Sequence, residues 1–178
     1  MRMDDEQELR DLLHEHDEAG GLEHPAFYNH RKTRAAFNAL VERLDADFST
    51  SCRADRDIED ASLHGRIEIP VEALHTLTPP RHPGQVGGAA QLVVSVSNFG
   101  SMAVVSAENP GAYLDLTEAL ADDAITGTDL KTVRRALDEL GYRVIPEELL
   151  TRPYDGVSDL GYPPDRQPDW WIRFFDYL

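Results

Sequence analysis

Histidines and acids crowd the first thirty or so residues of this chain: His14, His16, Glu18, Glu23, His24 and His30. His14 and Glu18, four apart, share one face of a helix, a spacing from which a zinc or nickel site can be assembled. His14 and His16 point apart on the same helix, and no His-Glu-x-x-His pattern occurs, so the run also reads as a solvated acidic face. No metal site is expected. Cys52 has Arg53 beside it and His64 on a following strand, and a Cys–His pair meeting across a sheet would supply a nucleophile and its base. A lone cysteine is otherwise a small buried side chain. Ser97, Ser101 and His75 form no recognisable triad order, and Asn98-Phe99-Gly100-Ser101 lacks the flanking glycines of a nucleophile elbow. Gly84, Gly87 and Gly88 precede a strand where a phosphate cradle would follow one and open a helix. No catalytic signature emerges, and no cofactor is expected.

Charge points elsewhere. The 178 residues carry 33 acidic and 17 basic side chains, a net charge of −16. Such a surface disfavours nucleic acid, whose phosphates need a basic face. It would speed association with a basic protein partner, and it also serves solubility. The acids concentrate at residues 4–8 and again in a turn between two expected strands, where Asp55, Asp57, Glu59 and Asp60 are the candidate partner-binding residues. Cys52 is the only cysteine, which fits a reducing compartment. The first ten residues lack the basic-then-apolar pattern of a signal peptide, and no run approaches the ~18 apolar residues of a membrane span. A cytoplasmic protein with no membrane association is the expectation.

The elements that must position these groups follow from periodicity. A central hairpin is expected from residues 91–108, where β-branched residues flank Asn98-Phe99-Gly100. Residues 4–18 read as a short acidic helix, with Leu9, Leu12 and Leu13 as a narrow stripe that would dock weakly or fray. Phe37, Leu40, Val41 and Leu44 mark one face of a helix over 30–45. Residues 114–125 and 129–140 read as two further helices, the second capped by Thr128 or Asp129, with Leu130, Val133, Leu137 and Leu140 inward. Strands are expected at 48–53, 63–69, 92–97, 102–107 and 170–178, with a short extended piece at 142–145. Residues 78–90, with three prolines and three glycines, read as a surface loop. In the aromatic tail Arg173 and Asp176 would need partners, because an unpaired buried charge is costly.

The stretches SVSNFGSMAVVS, GYRVIPEELLTRPYDG and the closing WWIRFFDYL resemble small uncharacterised bacterial proteins that end in the same tryptophan-rich strand. In size, acidity and build the chain is similar to immunity proteins that neutralise secreted toxins. That resemblance implies a toxin inhibitor and carries no site residues.

The expected architecture is a single α+β domain, its antiparallel or mixed sheet of about five strands carrying helices mainly on one face. The expected function is that of a non-enzymatic binding protein, an immunity protein neutralising a basic toxin domain. The alternatives are a small metal-dependent or Cys/His enzyme using His14, Glu18, Cys52 or His64, and a structural subunit whose aromatic tail completes an oligomer.

Overall fold

The computed structural model describes residues 3–56, 61–75, 89–163 and 165–176. The fold is a single α+β domain built on a five-stranded mixed sheet in the order β1-β2-β3-β4-β5. Strands β1 (Arg53–Asp55), β2 (Leu63–Ile69), β3 (Leu92–Ser97) and β4 (Met102–Ala107) pair antiparallel in chain order. The short β5 (Arg143–Val144) lies parallel to β4 and meets only Met102 and Ala103. The central hairpin is β3–β4, and Gly100 and Ser101 turn it in left-handed conformations (φ 56° and 52°). Every residue of β3 and β4 is buried, as continuous apolar runs require when a sheet is covered on both faces.

Alternation divides the core in two. Leu92, Val94 and Val96 of β3, with Ala103, Val105 and Ala107 of β4, face the first cluster. Helices α2 (His30–Phe48), α3 (Leu116–Ala121) and α4 (Gly127–Glu139) cover it with Phe37, Leu40, Leu44, Ala119, Val133 and Leu137. Met102 and Val104 face the second cluster, under α1 (Met3–His16), α5 (Glu147–Leu150) and α6 (Trp170–Phe175). Most helical residues therefore lie on one face, and the other is closed by the two ends of the chain.

The structure differs from the sequence expectations at several elements. Residues 48–53 are not a strand. Phe48 extends the 37-40-41-44 face of α2 by one more turn and is buried there, so burial at helical period outweighs the β-propensity of Phe48 and Thr50. Ser49 ends the helix in the left-handed conformation, and strand β1 begins at Arg53. The tail is likewise a helix: Asp169 caps it by accepting from the Ile172 amide at 3.0 Å, and Trp170 stacks on Phe174 one turn later with centroids 5.7 Å apart. Six residues are too few for periodicity to separate strand from helix. Finally, α1 is firmly docked: Leu13 is buried, and Glu6–Arg152 and Glu8–Arg143 pair across to the far end of the chain at 2.6 Å each. The α4 cap is Thr126, not Thr128 or Asp129: its hydroxyl accepts from the Asp129 amide at 3.1 Å and donates to the Asp129 carboxylate at 2.7 Å, and Leu140, expected inward, ends the helix exposed. The expected loop at 78–90 falls outside the described residues apart from its last two.

Candidate functional site

The His-rich N-terminal region splits in two: His24 and His30 gather with His64 around the Tyr28 ring, while His14, His16 and Glu18 go separate ways. His14 lies 3.4 Å from Asp155 and edge-on to Trp170, while His16 packs against Gly100. Glu18 accepts from the Ala26 amide at 3.1 Å. Among the described residues no three His, Cys, Asp or Glu side chains are grouped to hold a metal. Cys52 and His64 are each committed to other partners. Cys52 is buried in the first core beside Asp45, and burial together with that carboxylate pushes its thiol up to about 12, so no thiolate forms near neutrality. His75 pairs with the buried Asp129 at 2.7 Å, an oriented imidazole whose carboxylate is already engaged in capping α4. The sequence signal for that pairing was the Thr126-x-x-Asp129 spacing.

His64 is 6% exposed and shares its Nδ1 with Asn98 Oδ1 at 2.9 Å and the Tyr28 hydroxyl at 3.2 Å. Burial lowers its pKa below 6.5; the Asn98 hydrogen bond opposes that shift, and the charges of Arg34 and His30 reinforce it. A histidine depressed in the fold is neutral there, so its contribution is complete above its unfolded pKa and is lost as pH falls below about 6.5. Denaturation midpoints should decline between pH 7 and 5 in the parent and decline less in His64→Gln. Equal slopes in the two proteins would show that His64 does not titrate with folding.

Two buried residues in the second core form the strongest polar network. Arg173 and Asp17 have side chains 0% and 1% exposed and meet at 2.6 Å. Arg173 also donates to the carbonyls of Gly21 and Leu22 at 2.9 and 3.2 Å and lies over the rings of Phe99 and Phe174. Asp17 accepts further from the Tyr154 and Ser158 hydroxyls and the Val157 amide. Burial alone would raise its pKa, but these hydrogen bonds together outweigh it and hold the carboxyl below 3.8. The partner of Arg173 is thus Asp17 and not Asp176, whose backbone pairs with Ser62. Each guanidinium nitrogen of Arg173 and both carboxylate oxygens of Asp17 thus have partners inside the fold.

A cavity of about 470 Å³ opens instead beside β4. Its floor is Val105, Ser106 and Ala107; one wall carries Tyr113, Leu116 and the start of α3, the other Pro146 and the start of α5. Among the described residues, four carboxylates (Asp5, Asp115, Glu147 and Glu148) line it against one guanidinium, Arg134. Asp115 caps α3 by accepting from the Thr117 and Glu118 amides at 2.7 and 2.8 Å. Glu147 accepts from Ser106 Oγ at 2.7 Å and from the Gly111 amide, which fixes the α5 wall against the hairpin. Glu148 is exposed at the rim. The Tyr113 phenol on the cavity wall is raised above 10.0 by burial and, after that, by Asp122, Glu108 and Glu118.

No family model, no curated protein and no solved structure matches this chain.

Of the residues expected to bind a partner, Asp55 is exposed at the end of β1, on the opposite edge of the sheet from this groove. Asp57, Glu59 and Asp60 lie outside the described residues. Sequence reading missed Asp115, Glu147 and Glu148, and it took Asp5 only as part of an acid run. The signals were the Asp115 cap before Leu116 and the Pro146-Glu147-Glu148 triplet, but nothing local shows that α3 and α5 begin on either side of one strand edge.

Proposed function

We propose that this chain is a non-enzymatic binding protein that captures a basic protein partner in the acidic groove beside β4, and that it serves as a bacterial immunity protein neutralising a basic toxin domain in the cytoplasm. The observation that carries the reading is the groove itself: an apolar floor of substantial volume with four carboxylates to one cation around it, on a chain of net charge −16. Clefts lined by one sign of charge concentrate the opposite sign and raise association rates. Asp55 adds an exposed carboxylate at the far edge of the sheet. No helix among the described residues is long and apolar enough to cross a membrane.

The test is kinetic. A basic protein retained by the immobilised chain is purified, and its on-rate is measured against three forms. Glu148→Lys should slow association several-fold at low salt and Arg134→Glu should speed it, with both differences shrinking by ~0.15 M salt, where the Debye length is about 8 Å. Both positions are exposed, so neither change should move the melting temperature much. Retention of no basic protein, or on-rates that ignore both substitutions, would contradict the reading.

A further inference from the structure

Resting on that reading, we infer that the groove takes an extended segment of the basic partner as an added strand, hydrogen-bonded to the outer edge of β4. The backbone of β4 is the reason. Ala103 presents its carbonyl outward, accepting from the Ile145 amide at 2.8 Å. Backbone groups alternate sides along a strand, so Val105 and Ala107 direct theirs the same way. Strand β5, however, ends at Val144, opposite Ala103, and Pro146 leads the chain off into α5. Beyond that point the described residues supply no hydrogen-bond partner to the outward backbone of Val105 and Ala107. The cavity lies along this unpaired edge. An open edge is a template for a further strand, and natural sheets usually blunt it with a charge, a proline or a covering element. Here walls flank the edge while the edge itself is left open.

The two walls also set a pattern for the incoming segment. Successive side chains of an added strand point to opposite faces. One face meets Tyr113 and Leu116 on the side of the first core; the other meets Asp5, Glu147 and Glu148 on the side of the second. The segment that fits therefore alternates apolar with basic residues. Charge alone would be indifferent to that order.

Order and backbone are what the experiment varies, on the full chain. The probe is a blocked octapeptide alternating Lys and Val, compared with a peptide of the same composition in which four Lys precede four Val. Two further versions of the alternating peptide carry N-methyl groups, one on every Val nitrogen and one on every Lys nitrogen. Affinity is read by fluorescence anisotropy. The alternating peptide should bind roughly tenfold or more tightly than the block peptide, and one N-methyl series, not both, should lose roughly tenfold or more, since only alternate amides face β4. Binding should also weaken with Glu148→Lys. Equal affinity for alternating and block peptides, indifference to both methyl series, or no binding of the alternating peptide would each overturn strand addition. The binding reading stands or falls separately, on the on-rates of the retained basic protein.

Discussion

Arg173→Met should destabilise the fold by about 3–5 kcal/mol in chemical denaturation, the usual consequence of breaking a buried ion pair from one side. The substitution keeps most of the side-chain volume but strips Asp17 of its cationic partner. That carboxylate is then left buried with hydroxyl and amide donors alone. The Gly21 and Leu22 carbonyls lose their donor in the same step. Asp17→Asn should also destabilise, because the buried Arg173 charge then lacks a counter-ion and the new NH₂ meets a backbone donor at Val157. The double replacement Asp17→Leu with Arg173→Met should cost less than the sum of the single changes, since neither charge is then orphaned. A loss below about 0.5 kcal/mol for Arg173→Met would mean that the pair is not desolvated in solution.

Removal of residues 170–178 should abolish cooperative unfolding altogether. Trp170, Phe174 and Phe175 are 4%, 0% and 2% exposed, and they close the second face of the sheet over Phe99, Met102 and Val104. Deleting one such aromatic side chain typically costs about 3–5 kcal/mol, so losing three is comparable to the whole of the roughly 5–15 kcal/mol that holds a domain together. Phe174→Ala alone should fall in the single-residue range and leave a measurable, shifted transition. A truncated chain that still melts cooperatively would show that β4 does not depend on α6 for cover, and would favour a tail that docks elsewhere.

Both predictions concern features that periodicity read only in part. The sheet strands at 63–69, 92–97 and 102–107 were legible because β-branched residues and bounding turn residues arbitrate where so short a periodicity does not, and α4 was legible because thirteen residues give nearly four turns of a consistent face. The aromatic tail was misread because WWIRFF satisfies a two-residue and a four-residue period equally well. Its deciding signal is the Asp169 cap after Pro168. That Arg173 needs a buried partner follows from its apolar neighbours. That the partner is Asp17, at the other end of the chain, does not, because such a pairing is fixed only by the way α1 and α6 cover the same face. The groove is the extreme case. Each of its acids looks like an ordinary helix cap or surface charge, and its binding edge is backbone that carries no residue signature.

The proposed function turns on which sheet edge the partner occupies, and hydrogen–deuterium exchange of the chain, alone and with the basic protein it retains, addresses that directly. In the free chain the outward amides of Val105 and Ala107 should exchange faster than the amides of Val104 and Ser106, which face β3. In the complex, peptides covering Val105–Ala107 and the start of α3 at Asp115–Thr117 should gain protection, while those covering Arg53–Asp55 should stay unchanged. Protection gained at β1 and its acidic turn, with the β4 edge exchanging as in the free chain, would contradict the account and place the partner on the opposite edge of the sheet.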